Sequence, residues 1–365
     1  MIEFVAVKYF SLVYHTLLML FVIMLYLDAQ QTELDNSQNL DRKNTTGILL
    51  MLIVIIFLGL RPITHSHFGD MAAYNYDFEG YARGQTLDVS KDLGFELFIQ
   101  ASAQIMSAQF FFLICAFLYI YPLYLATKKL FKEYWYYAFF LLLASLSFWG
   151  YGTNGIRNGL ATTFFIFAIS REKTWLTMLF IALSVSFHGS LLIPAAAYFL
   201  TLYYKNTRHY IYFWLLAIPL SIALSGFWEN FFFSLGFGDE QRLKGFLSEI
   251  GEIEEIETGF RWDFLLYSAS GVFAGWYFVI KRQYEDALYV QLFNIYLVAN
   301  AFWILVIRAN YSNRFAYLSW FLLALIIVYP FLQRQFFDNQ HKLLAKIFVI
   351  YFAFTYLLNV VFSKY

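Results

Sequence analysis

One cysteine, Cys115, is the only thiol in a chain of 365 residues, so no internal disulfide can staple the fold. It lies inside an apolar run and reads as a small buried hydrophobe. Charge is scarce as well. Only 14% of residues are Asp, Glu, Lys or Arg, where soluble domains carry about 25%. The 25 basic and 25 acidic side chains cancel, which removes the bulk field that would point to nucleic acid. The six histidines are scattered, without metal-ligand spacing, so no metal site is expected. There is no Walker loop, no G-x-S-x-G elbow and no dinucleotide fingerprint. No repeat, low-complexity tract or soluble domain interrupts the chain.

What is abundant is apolar: 61% of residues, with 22% aromatic. Uninterrupted apolar runs of about 18 or more residues recur, the length a bilayer demands of a helix. Lipid offers the backbone no water, so these runs must be helical, and nothing alternates like a barrel strand. The expectation is an all-α, polytopic integral membrane protein, a single transmembrane domain over residues 1–365. Apolar segments fall near residues 4–27, 47–60, 95–127, 134–150, 155–170, 174–188, 190–204, 210–227, 262–280, 287–307, 315–332 and 343–361. They predict about twelve transmembrane helices. The third is overlong, and its first part, GFELFIQASAQIM, is mixed in polarity, as suits a segment outside the lipid or along a cavity. The run after Lys8 carries Leu27 where a cleavage site needs a small residue, and reads as a retained helix.

One set of connections holds Arg42, Lys43, Lys128, Lys129, Lys132, Arg171, Lys173, Lys205, Arg208, Lys281, Arg282, Arg334, Lys342 and Lys346. The positive-inside rule assigns this lysine-rich set to the cytoplasm, which leaves both termini periplasmic. The opposite set includes the longest polar connections, residues 61–94 and 228–261, and is rich in arginine: Arg61, Arg83, Arg157, Arg242, Arg261, Arg308 and Arg314. Anchoring needs no arginine in particular. A planar, always-charged fork is preferred where phosphate or carboxylate must be held by two bonds, so the chemistry is expected outside.

Arg157, in GYGTNGIRNGLATTFF between Asn154 and Asn158, opens a helix entering from that side. A cation there opposes the helix dipole, and an anion reverses the balance. Gly155 and Gly159 would let a bulky head group approach the backbone. The plain alternative is an arginine snorkelling to lipid phosphates. Arg314 opens a second helix, with Tyr317 one turn on and Arg308 upstream; the pair suits a diphosphate or a surface anchor. His188, at the outer end of a span in SVSFHGSLLIPA, suits proton transfer or a satisfied structural role. The 61–94 connection combines Arg61 and Asp70, with Tyr74 one turn on and Glu96 just beyond. A carboxylate such as Asp70 beside a sugar hydroxyl can act as a base. The other acids, Asp77, Glu79, Asp88 and Asp92, read as solvated. The run GEIEEIETGF reads as a solvated surface or lid, and Arg261 with Asp263 as an ion pair on the pocket rim.

The order Arg61…Gly69-Asp70…Tyr74, Gly94-Phe95-Glu96, Ile156-Arg157-Asn158-Gly159-Leu160-Ala161, Phe187-His188-Gly189-Ser190 and Arg314…Tyr317 resembles the EpsG/Wzy family of bacterial exopolysaccharide and O-antigen polymerases. The chain departs from it at Thr64-His65-Ser66-His67, where Gly-x-Asp is more typical. The resemblance implies a GT-C-like, metal-independent, inverting glycosyltransferase without cofactor or nucleotide donor, in the bacterial inner membrane and facing the periplasm. Its implied substrates are an undecaprenyl-diphosphate-linked oligosaccharide donor and acceptor, with a chain-length regulator as a further membrane partner. Arg157, Arg314, Arg308 and Arg61 would hold the diphosphate, His188 or Asp70 would serve the acceptor hydroxyl, and Asn154, Asn158, Tyr74, Glu96, Tyr317 and Arg261 would line the substrate. A flippase for the same lipid would need charged or broken helices at the midplane, and an acyltransferase would need polar groups facing the cytoplasm. An O-antigen ligase shares the lipid-diphosphate chemistry and is the closest enzymatic rival.

Overall fold

A computed structural model describes residues 5–65, 67–88, 92–234, 259–309 and 312–362, and among them every regular element is helical. The chain forms two compact units, Met1–Leu191 with Val328–Tyr365, and Leu192–Ile327. The first holds α1 (Phe10–Ala29), α2 (Ser37–Gly59), α3 (Gly69–Ala82), α4 (Leu93–Ala103), α5 (Ala108–Phe131), α6 (Trp135–Leu143), α7 (Leu146–Thr153), α8 (Ile156–Ile169) and α9 (Thr174–Phe187). The second holds α10 (Leu192–Tyr203), α11 (Thr207–Ser234), α12 (Trp262–Gly275), α13 (Ala287–Leu305) and most of α14 (Ser312–Gln333). α15 (Gln340–Tyr356) belongs to the first.

Polar side chains set several starts. Asn36 accepts from the Asn39 amide at 3.0 Å and Asp286 from the Tyr289 amide at 2.8 Å, each satisfying an orphan donor of a first turn. Ser107 caps α5 in the same way, and this cap divides the overlong third apolar segment. Its mixed first part becomes α4, a separate helix.

The expectation of an all-helical polytopic chain is met, and the count of about twelve spans is not. Each apolar segment is helical, yet seven ranges among the described residues are long and apolar enough to cross a membrane. An eighth is reached if Thr207–Leu224 and Gly226–Phe232, bent by 97°, form one span. α8 and α9 have 14 residues each, or about 21 Å at 1.5 Å per residue, short of a hydrocarbon core of about 30 Å. Hydropathy measures apolar length and is blind to breaks. One qualifying range, Ala108–Leu143, is itself a hairpin: Lys132 turns the chain at φ 51°, and the Tyr124 ring packs 4.8 Å from Trp135 and 6.3 Å from Phe139. The returning leg breaks again between α6 and α7, where the Tyr14 hydroxyl donates to the Leu143 carbonyl at 2.7 Å.

The 61–94 connection is not simply a polar loop. Met71, Tyr74, Phe78 and Tyr81 of α3 recur at helical spacing and are buried, with Tyr74 5.3 Å from Phe95 of α4. The two ends of the first unit differ in character. α2 begins at a polar cluster in which Asn39, Arg42 and Lys43 converge on Asp28. His341 bridges the Thr32 carbonyl and the Tyr137 hydroxyl at 2.6 and 2.9 Å. The far end of α2, about 34 Å away along its 23 residues, leads to Arg61 and the candidate site. The acidic run of the 228–261 connection lies almost wholly outside the described residues, as do the first four and last three residues and, with them, the expected placement of the termini.

Candidate functional site

Arg157 is the second residue of α8, and its first-turn position leaves a cation against the positive end of the helix. The compensating anion comes from within the protein. Asp92, at the start of α4, takes a hydrogen bond from Arg157 Nη1 at 3.0 Å on Oδ2 and one from the Gly189 amide at 2.8 Å on Oδ1. The pair is mostly shielded, with side-chain exposures of 10% for Arg157 and 18% for Asp92. In sequence Asp92 looks like a solvated loop acid; in the fold it bridges two segments lying 65 and 97 residues away. The only local hint is that Asp92 precedes an apolar helix yet makes no capping bond to it.

The Tyr74 ring lies 5.7 Å from the Arg157 guanidinium carbon. Arg157 Nε is buried with no hydrogen-bond partner among the described residues, and so is Asn154 Oδ1 just upstream. A buried orphan costs about 1–3 kcal/mol; Arg61 Nε is also without a hydrogen-bond partner among the described residues.

His188 follows α9, half-buried, in the turn that carries Gly189. The Ser190 amide donates to His188 Nδ1 at 3.2 Å, with the Ser190 hydroxyl 3.1 Å from the same nitrogen and 3.4 Å from Asn158 Oδ1. A backbone amide only donates, so Nδ1 carries a lone pair and the neutral ring holds its proton on Nε2. α3 and α4 complete the group. Asp70 lies half-buried in the first turn of α3, a favourable place for an anion, one turn before Tyr74. Glu96 is buried in α4 and accepts from the Tyr81 hydroxyl at 2.6 Å. Burial and that carboxylate push the Tyr81 phenol up to about 12.

Glycines let these elements meet, though not as expected. A Cβ on Gly159 would sit 3.0 Å from the Tyr151 carbonyl and 3.2 Å from the Tyr119 ring, and one on Gly155 3.2 Å from the Tyr151 ring. Their missing side chains admit neighbouring tyrosines rather than a head group. Gly94 matters more: a Cβ there would lie 2.4 Å from Ser186 Oγ and 2.9 Å from its backbone carbon. That close approach of α4 to α9 brings Asp92 within reach of Gly189.

Arg61 is 1% exposed. Its Nη1 donates to the Leu58 carbonyl and its Nη2 to the Thr153 carbonyl at 2.8 Å, with the Phe68 ring 5.4 Å from the guanidinium carbon. The structure places this arginine on backbone carbonyls, tying the end of α2 to the end of α7, three residues before α8. It braces the turn that presents Arg157.

The remaining expected residues lie in the second unit. Arg261 grips Asp263 through Nε at 2.9 Å and Nη2 at 2.6 Å and stacks 3.5 Å over Phe264, the ion pair that the sequence suggests. Arg308 and Arg314 are exposed on either side of residues 310–311, which lie outside the described set. Tyr317 is half-buried, its ring 5.7 Å from Trp320. Deeper in this unit is a polar network that the sequence did not announce. Asn300 accepts from the Trp214 indole at 2.7 Å and donates to Ser268 and Ser319 at 3.0 and 2.9 Å; the Trp320 indole also donates to Ser268 at 2.7 Å.

The EpsG family model matches residues 44–365. No curated protein and no solved structure matches the chain. With the match running from α2 to the last residue, this chain belongs to the EpsG family, and it is a polytopic helical membrane protein of polysaccharide-polymerase type.

Proposed function

We propose that this EpsG-family chain polymerises a surface polysaccharide at the periplasmic face of the bacterial inner membrane, moving a growing glycan from undecaprenyl diphosphate to an incoming lipid-linked repeat unit. The acceptor hydroxyl oxygen attacks the anomeric carbon, the bond from that carbon to the diphosphate oxygen breaks, and the lipid diphosphate leaves with the electron pair. Attack from the opposite face inverts the anomeric centre.

The observation that carries this reading is Arg157: nearly buried, set at a helix N-terminus, and holding an Nε proton with no acceptor. A phosphate oxygen would supply that acceptor, and fixed guanidinium groups stabilise charge growing on a leaving group without a metal ion. The His188 tautomer supports a role for Nε2–H as a donor to the departing oxygens, and the acceptor proton then falls to Asp70. Tyr74, Asn154, Asn158 and Glu96 stand as substrate-side neighbours in the first unit. In the second unit, Arg308 and Arg314 are proposed as a further anion grip, with Tyr317 and Arg261 beside them in sequence.

The test is Arg157→Lys and Arg314→Lys in cells that make the glycan, read as the ladder of chain lengths on a gel. A lysine keeps the charge but loses the fork. Loss of long chains with single repeat units still formed supports the reading; unchanged ladders in both variants would refute it.

A further inference from the structure

We infer that Asp92 is the positioning residue of this site: one carboxylate that fixes the diphosphate grip and the imidazole turn as a single unit. This deepens the proposed function and rests on it. Asp92 Oδ2 holds Arg157 and Asp92 Oδ1 holds the Gly189 amide, adjacent to His188. Its two oxygens therefore join the first turn of α8 to the turn after α9, beside the Ser190–Asn158 hydrogen bond at 3.4 Å and above a packed seam in which Ser184 Oγ donates to the Ala161 carbonyl at 2.6 Å.

The way Asp92 holds the arginine matters. Elsewhere in the same protein Arg261 shows a fully engaged fork, with Nε and Nη2 both on one carboxylate. Asp92 instead takes Arg157 through Nη1, and the buried Nε is left without a partner. The resident carboxylate orients the guanidinium through Nη1 and does not occupy Nε. Were Asp92 to take that nitrogen, it would compete with the substrate; on Nη1 it neutralises and aligns. The second anchor fixes the imidazole side. The Ser190 amide that holds His188 Nδ1 follows directly on the Gly189 amide that Asp92 holds, so movement of the carboxylate would shift both groups together.

Asp92→Asn removes the charge and keeps an oxygen for Gly189, Asp92→Glu keeps the charge one methylene further out, and Arg157→Ala removes the grip. Each full-length protein is purified in detergent, matched for folded amount by size-exclusion chromatography, and assayed with lipid-linked repeat units. For Asp92→Asn we expect kcat to fall roughly 10- to 100-fold, the scale for misplacing a binding group by about 1 Å, with KM changed less than twofold. Asp92→Glu should recover part of that loss. In the Asp92→Asn background, Arg157→Lys and His188→Gln should act independently, whereas with Asp92 intact their effects should be coupled. Wild-type kcat in Asp92→Asn, or coupling that survives it, overturns the inference. If Asp92→Asn is recovered unfolded, the same coupling measured in Asp92→Glu decides, and undiminished coupling there also overturns it. If Arg157→Ala polymerises normally, the proposed function itself fails, an outcome distinct from failure of the Asp92 assignment alone.

Discussion

Around Asn300 four hydrogen bonds link uncharged side chains and no ion takes part, whereas around Asp92 an ion pair, a buried guanidinium Nε without a partner among the described residues and a half-buried imidazole are held together. The neutral network joins α11, α12, α13 and α14 through uncharged groups, with the Trp303 indole beside it left without a partner among the described residues. The charged group joins α3, α4, α8 and the turn after α9 and differs in carrying a permanent cation and its carboxylate. Fully satisfied buried polar networks fix a unique packing, and partly satisfied ones are costly unless something else completes them. The contrast separates structure from chemistry without reference to position in the chain.

That comparison can be broken at four places. Asn300→Leu leaves the Trp214 indole and two serines short of partners, and should cost about 3 kcal/mol of stability. Thermal unfolding in detergent should show the loss while polymerisation per folded molecule stays at the wild-type level; a selective loss of activity would place chemistry in the neutral network after all. Gly94→Ala pushes α4 from α9, where overpacking costs about 1–3 kcal/mol. Because the same displacement parts Asp92 from Gly189, glycan output should drop by more than the fall in folded protein explains, and equal losses would uncouple the glycine from the site. Arg61→Met orphans the Leu58 and Thr153 carbonyls at a cost of about 1–2 kcal/mol, read as a lower melting temperature; an unchanged melt would deny the bracing role. Smallest is Tyr81→Phe, at about 1 kcal/mol. The Tyr81 phenol sits at about 12 against an ordinary 10.0, so the folded state favours the protonated form. Its contribution is complete below pH 10, lost as pH rises through 12, and missing from the Phe variant. Identical alkaline melting of the two proteins would rule it out.

The places of the helices were legible in the sequence because lipid forbids charge along a span, and the interruptions in apolar runs coincide with the turns. The number of crossings was less legible. Ser107 and the Ala144–Ser145 break divide runs that look continuous in hydropathy, through a cap and a tertiary hydrogen bond, whereas the turn at Lys132 falls where charge already interrupts the sequence. Arg157 stood out because an uncharged run begins with a permanent cation. Asp92 did not, since a lone acid in a polar connection looks solvated until the amide 97 residues later is folded onto it. Arg61 reads chemically as an anion grip; the fold sets two of its nitrogens on the carbonyls of Leu58 and Thr153 and leaves Nε without a partner among the described residues.

The shortness of α9 has a consequence for lipid lying against it, whereas α8 is enclosed by its neighbours. A lipid-facing helix about 9 Å shorter than the hydrocarbon thickness favours local thinning of the leaflet, which draws the phosphate plane toward the helix end. On the proposed function, a lipid diphosphate arriving along α9 would have a shorter way to go to reach the first turn of α8.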